Sequence, residues 1–225
     1  NDIIIVRYKE GWTKPEFAEI SGLVKFPGFY SILNNKYSLY DLLQDSGGIL
    51  PDGSVSGIKI KRMNVSKKEI DEALDNFASD SIGIEIKKQE DYIEFGIDVE
   101  KLLESNGLDF KYNVILKDGD IVTVPKIDNT VEVIGEVEQP TVVNYKKGLS
   151  ALDAINQAGG FTEVAKKRGV FIVYQNGTIS SNKRFFIFNT MPKIKPGSKI
   201  VVPKKFPNPN KTSLTEIVGL TSTLA

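Results

Sequence analysis

The 225 residues include no cysteine and no histidine. These absences remove thiolate nucleophiles, disulfides, Ser-His-Asp and Cys-His machinery, and nearly every zinc, haem or iron–sulfur site. Lack of cysteine fits a reducing or an oxidising compartment equally, so it assigns no location. Neither charge is in excess: 29 Lys and Arg balance 29 Asp and Glu, which gives no overall pull toward nucleic acid or an acidic membrane. No apolar run approaches the roughly 20 residues of a membrane-spanning helix, and a mean hydropathy of −0.17 agrees with water as the solvent. What is present, 40% apolar and 26% charged residues, is the balance of a globular chain able to bury one or two ordinary cores. The chain opens with Asn1, has no basic-then-apolar leader and runs straight into a strand-like Asp2–Val6. The expectation is a piece of something longer.

Self-similarity is the strongest signal in the sequence. EISGLVKFPGFYSI (19–32) returns as EVIGEVEQPTVVNY (132–145), aligning Gly22, Val24 and Pro27 with Gly135, Val137 and Pro140 at an offset of 113. SLYDLLQDSGG (38–48) returns as SALDAINQAGG (150–160) at an offset of 112. LKDGDIVTVPK (116–126) returns as IKPGSKIVVPK (194–204), but at an offset of 78, so the first copy carries about 34 extra residues, expected near 64–98. DIIIV at 2–6 is like DIVTV at 120–124, and the expectation is the closing strand of a preceding copy.

Each block has a physical reading. Alternation in Glu19–Val24, a Pro27-Gly28 turn and Phe29–Leu33 predict two strands joined by a tight hairpin. Ser38 with Asp41, and Ser150 with Asp153, predict capped helices that stop at Gly47-Gly48 and Gly159-Gly160. Gly57–Arg62 and Gly169–Tyr174 read as strands, and Asp118-Gly119-Asp120 and Pro196-Gly197-Ser198 as turns into closing strands. Within the extra segment, a helix around Lys68–Phe77 and a strand around Ile82–Lys87 elaborate a sheet edge. Tyr92–Ile97 and Val99–Leu103 follow as strand and short helix, with Arg184–Phe188 the matching strand of the second copy. The fold class is α+β, a small mixed sheet with one short helix on it, built twice.

Gly22, Val24, Pro27, Gly28, Tyr30, SLYDLLQDSGG and DGDIVTVP, repeated as Gly135, Val137, Pro140, SALDAINQAGG and PGSKIVVP, resemble the SLBB domain, a soluble-ligand-binding β-grasp. Tandem copies after VRYKEGW and before a helical tail are similar to the C-terminal part of the Wza-type family of bacterial outer-membrane polysaccharide export proteins. Thr141 stands where the first copy has Gly28, and the extra segment lies outside the minimal domain. The resemblance implies a closing strand and linker at 1–15, SLBB domains at 16–128 and 129–205, and a linker with the start of a C-terminal helix at 206–225. It also implies a periplasmic conduit for capsular polysaccharide or exopolysaccharide, built as a ring of identical subunits. The implied partners are the polysaccharide, an inner-membrane co-polymerase or export kinase, and the outer membrane, reached through a lipid anchor and a helix. In the tail, Ser213 with Glu216 makes a capping box and Leu214, Ile217, Val218 and Leu224 keep helical spacing, though 213–225 is too short to span.

The balanced total hides a segregation. Residues 140–225 hold 13 basic and 3 acidic side chains, and 64–110 hold 5 basic and 13 acidic. Such halves favour head-to-tail packing of copies, which closes into a ring. Lys146, Lys147, Lys166, Lys167 and Arg168 are candidates to attract an acidic polysaccharide, against the plainer reading of a solvated basic face. Trp12, between Gly11 and Pro15, is a candidate sugar contact that no core explains; Tyr30 reads as packing. Nucleic acid is not expected, because no DNA- or RNA-binding pattern accompanies the charge. Paired carboxylates are the only common catalytic apparatus left, and Asp41, Asp118 and Asp120 each have a structural role, so no enzyme and no cofactor is expected. A β-grasp module binding a small ligand, a sugar or a cobalamin-like molecule, is the alternative.

Overall fold

The computed structural model describes residues 14–32, 36–63, 82–84, 87–89, 92–181, 183–185 and 188–205. Their strands and helices run β1 (Glu16–Gly22), β2 (Gly28–Ile32), α1 (Leu39–Asp45), β3 (Lys59–Met63), β4 (Ile82–Ile84), β5 (Lys87–Gln89), β6 (Tyr92–Gly96), α2 (Val99–Glu104) and β7 (Ile121–Val124). There follow β8 (Thr130–Gly135), β9 (Thr141–Asn144), α3 (Ala151–Gln157), β10 (Phe171–Val173), β11 (Thr178–Ser181), β12 (Lys183–Phe185), β13 (Phe188–Thr190) and β14 (Ser198–Val202). One sheet has the order β2-β1-β7-β3-β6-β5 and the other β4-β11-β10-β14-β8-β9. In each, a single parallel pair, β1 with β7 or β8 with β14, joins antiparallel neighbours. The α+β repeat read from the sequence is therefore the architecture.

Helices α1 and α3 form where their caps and inward residues require. Ser38 Oγ accepts the Asp41 N–H while Asp41 Oδ2 accepts the Ser38 N–H, and Ser150 with Asp153 repeats the box. Accepting the Ser150 hydroxyl and then its backbone N–H holds the Asp153 carboxyl below its ordinary pKa. Leu39, Leu42 and Leu43 of α1 point into the first core with Ile20, Ile60, Val122 and Val124. Ala151, Ala154 and Ile155 of α3 point into the second with Val131, Val133, Ile172 and Ile200. Full burial of each such leucine or isoleucine contributes about 1.5–3 kcal/mol. Both helices end on the double glycine, where the Gly48 N–H reaches Leu43 and the Gly160 N–H reaches Ile155, each at 2.9 Å. On its other face the second sheet buries a smaller cluster of Phe171, Ile179 and Val201.

The repeat extends to individual hydrogen bonds. Gly22 and Gly135 both adopt φ of 89°, and a Cβ on either would run into the carbonyl oxygen of Val124 or Val202. That oxygen accepts the next N–H along the chain, from Leu23 at 2.9 Å or Glu136 at 2.8 Å. Only glycine permits both the positive φ and the close approach. The chain then bonds back to the helix end: Lys25 to Gly48 and Phe26 to Ser46 in one unit, Glu138 to Gly160 and Gln139 to Ala158 in the other.

Three sequence expectations change. The connection from β1 to β2 is not a tight Pro27-Gly28 turn. Gly28 is already paired with Ile20, and the intervening chain loops out to meet the helix end. The strand of the second unit that matches β6 is β11, beside β10, whereas 184–188 falls on the separate β12–β13 hairpin. The extra length of the first unit divides between the β3–β6 connection and the β6–β7 crossover. In place of one strand at 82–87, β4 pairs with β11 of the second sheet and β5 with β6 of the first. Asp2–Val6, the helix at 68–77 and the tail helix at 213–225 lie outside the described residues.

Candidate functional site

The two units meet through β4, the ends of β6 and α2, and the β10–β11 turn. Asn176, 3% exposed in that turn, donates from Nδ2 to the Ile97 carbonyl at 2.9 Å. Its Oδ1 accepts the Thr178 N–H at 3.0 Å and the Thr178 hydroxyl at 2.7 Å. Gln175 Oε1 accepts the Ser54 hydroxyl at 2.5 Å, and its Nε2 donates to the Lys126 carbonyl at 3.1 Å. Gly57 makes this possible, since a Cβ there would stand 2.6 Å from Gln175 Oε1. Lys195 crosses the junction to Glu100 at 2.9 Å and Asp98 at 3.5 Å, with its ammonium 5.0 Å from the centre of the Tyr174 ring. Burial alone would lower the Lys195 pKa, but the hydrogen bond to Glu100 and the charges of Asp98 and Glu100 raise it above the ordinary lysine value.

Between the open face of the first sheet and Gln175 lies a cleft of about 360 Å³. Its wall is Lys59 and Lys61 of β3, Glu94 of β6, Ile121 and Thr123 of β7, and Gly57, Pro125 and Gln175 at one end. Cross-strand register sets Lys61 opposite Glu94, yet Glu94 Oε1 is held by Lys59 Nζ at 2.9 Å. Lys61 lies instead over the Tyr92 ring, 3.9 Å from its centre. At such half-exposed positions an ion pair contributes about 0–1 kcal/mol. Among the described residues, Glu94 is the one carboxylate lining the cleft. The chemistry on offer is recognition of a polar or anionic group by Lys61, with hydroxyl and carboxylate neighbours to accept and donate hydrogen bonds.

A second arrangement, not read from the sequence, sits in the first core. Arg62 Nε and Nη2 donate to the two oxygens of Asp120 at 2.8 and 2.6 Å, and Nη2 also donates to the Ile115 carbonyl at 3.0 Å. Asp120 is fully buried and Oδ2 also accepts the Lys117 N–H at 2.9 Å. The second unit builds this node without charge. Ser198 replaces Asp120 and accepts the Lys195 N–H at 3.0 Å, while Tyr174 replaces Arg62 and donates to the Lys193 carbonyl at 2.9 Å. An arginine at an inward strand position, opposite an aspartate that opens a closing strand, was the available sequence signal. Asp118, exposed in the same turn, is held below its ordinary pKa, first by the Phe17 N–H and then by Lys14.

The basic candidates do not converge. Lys146 and Lys147 are exposed between β9 and α3, beyond Asn144, which pairs with Thr130 at the start of β8. Lys166, Lys167 and Arg168 occupy a 3-10 turn tied to Pro203, past the end of β14, by the Lys166 N–H at 2.7 Å. The groups therefore sit at opposite ends of the second sheet, separated by five residues of β14 or about 16 Å at strand rise. Lys167 Nζ lies 5.4 Å from the centre of the Phe161 ring. Trp12 lies outside the described residues. Tyr30 packs on the first core and donates to the Phe26 carbonyl at 2.6 Å. Tyr37 packs there too, its hydroxyl pushed well above its ordinary pKa by burial and by the bond to Asp45. Among the described residues no helix is long and apolar enough to cross a membrane.

Comparison with known proteins matches residues 130–181 to the SLBB domain. Two curated polysialic acid transport proteins KpsD of Escherichia coli are each 30% identical over 111 residues, which is 49% of this chain and 18% of the relative. The aligned stretch thus spans less than a fifth of the length of those relatives. The matched segment takes in β8 through β11 of the second unit, so that unit matches the SLBB domain, and the first unit repeats its strand order and its glycine and helix-cap bonds.

Proposed function

We propose that this chain is the periplasmic SLBB part of an outer-membrane protein that exports capsular polysaccharide or exopolysaccharide. Copies would stand side by side as a ring around the passing chain, with an inner-membrane co-polymerase or export kinase supplying the polysaccharide. The observation that carries this reading is the 111-residue similarity to two polysialic acid transport proteins. The duplicated sheets support it, because each ends on an outer strand, β2 or β9, that can pack against a neighbouring copy. The basic groups at both ends of the second sheet suit an acidic polymer that touches several subunits in turn. The protein would therefore act by assembly and guidance, not turnover. Deletion of the gene should abolish surface polysaccharide and leave it inside the cell, with recovery on re-expression; unchanged surface polysaccharide refutes the reading. The cleft beside Lys61 supports a second reading, a small-ligand β-grasp module, which a stoichiometric thermal shift with a sugar or cobalamin would favour.

A further inference from the structure

The two units differ at one place that repetition makes conspicuous. The β6–β7 crossover of the first unit carries α2 and a loop at 105–113, where the second unit has the β12–β13 hairpin. The loop is firmly tied down. Asn113 Nδ2 donates to the Gly107 carbonyl at 2.8 Å, the Asp109 N–H to Ser105 Oγ at 3.3 Å, and the Lys111 N–H to Asp109 Oδ1 at 3.0 Å. Gly107 lies flat on the Tyr40 ring, where a Cβ would come within 2.6 Å of the ring carbons, and Asn113 Oδ1 accepts the Tyr40 N–H at 3.2 Å. This frame nevertheless turns Leu108 and Phe110 outward, 78% and 89% exposed, more than any other large apolar side chain among the described residues. A tied loop with two apolar tips in water serves nothing inside its own unit, and the repeat folds elsewhere without it.

The counterpart of Tyr40 in the second unit is Leu152 of α3, and it remains 45% exposed. Lys146 and Lys147 stand exposed just ahead of it, whereas Glu104 and Asp109 stand exposed beside Leu108. The charges are opposite, and the formal net charge of zero leaves no overall repulsion between copies. We propose that Leu108 and Phe110 of one copy dock on the Leu152 face of a second copy, with Glu104 and Asp109 against Lys146 and Lys147. The contact joins different surfaces, so it propagates head to tail and closes into a ring when its rotation allows. It rests on the export reading only in taking copies of this chain as neighbours.

These 225 residues contain no cysteine, so each introduced thiol is unique within them. Full-length protein carrying Phe110→Cys is mixed with differently tagged protein carrying Leu152→Cys and treated with a short bis-maleimide. A covalent heterodimer should form in the mixture and not in either variant alone. Its yield should drop about tenfold when Leu108→Ser is added to the Phe110→Cys chain, as removal of a buried leucine implies. Lys146→Glu with Lys147→Glu on the other chain should lower the yield too, and Glu104→Lys with Asp109→Lys should restore it. Rings seen by electron microscopy without this cross-link overturn the docking and leave the export reading standing. A full-length protein that stays monomeric overturns both. Self-linking of Phe110→Cys alone, or vesicle binding by the parent that Phe110→Ser abolishes, overturns the docking in favour of a two-fold contact or a lipid surface.

Discussion

Replacing Arg62 by methionine measures what the charged node in the first core costs when left half made. Asp120 is fully buried and takes both of its close charged bonds from Arg62, at 2.8 and 2.6 Å. Without the guanidinium, the Lys117 N–H at 2.9 Å is the donor that remains. Breaking one side of a buried pair costs about 3–5 kcal/mol, and the surviving N–H places the loss near the lower end, about 3 kcal/mol. For a unit on the order of 100 residues this lowers the melting temperature by roughly 10–20 °C. The second unit supplies the control, because Tyr174 and Ser198 make the corresponding bonds without charge. Arg62→Tyr together with Asp120→Ser should therefore return to within about 1.5 kcal/mol of the parent, a non-additivity proper to directly bonded residues. Urea unfolding followed by far-ultraviolet circular dichroism on the parent, the single and the double variant measures all three values. A single variant that loses less than about 1 kcal/mol, or a double variant no better than the single, refutes the reasoning.

Two further perturbations separate backbone from charge effects. Gly135→Ala and Gly22→Ala should each cost about 2–4 kcal/mol, from the positive φ plus displacement of a bonded carbonyl. Gly160→Ala shares the φ of 89° but meets no atom within 4 Å, so it should cost only about 1–2 kcal/mol; equal losses in thermal melts would discard the steric account. At the junction, a lysine raised in the folded state lends stability that is complete below its ordinary value and lost as pH rises through the folded one. Lys195 should thus weaken the junction only in alkali, above 10.5. Lys195→Met should show a smaller drop in melting temperature between about pH 9 and about pH 11 than the parent, and parallel curves would rule the contribution out.

What could be read from the sequence was whatever is written in local spacing. Ser38 with Asp41, and Ser150 with Asp153, lie three residues apart and bond each other within one helical turn, so the caps were legible. Gly22 and Gly135 were legible as anchors, though not for their reason, which is a strand far away in the chain. Arg62 and Asp120 escaped for the same cause: 58 residues separate them, and only the sheet register brings them together. Thr178–Ser181 is not legible as a strand because TISS shows no apolar alternation, whereas its neighbours on β10 and β4 decide its pairing. The basic candidates were legible as charge but not as place. A helix lies between Lys147 and Lys166 in sequence, and the sheet puts their groups at its two ends. The cleft beside Lys61 had no linear signature, since its wall comes from β3, β6, β7 and a turn of the other unit.

The pairing of β4 with β11 alters how the duplication is to be regarded. A segment belonging in sequence to one repeat finishes the border of the other. A cut near 128 that released the latter repeat would strip that border and leave unsatisfied amides and carbonyls open to any passing chain. The twin halves are thus interlocked rather than strung like beads, and a force on either is transmitted to its fellow through shared backbone.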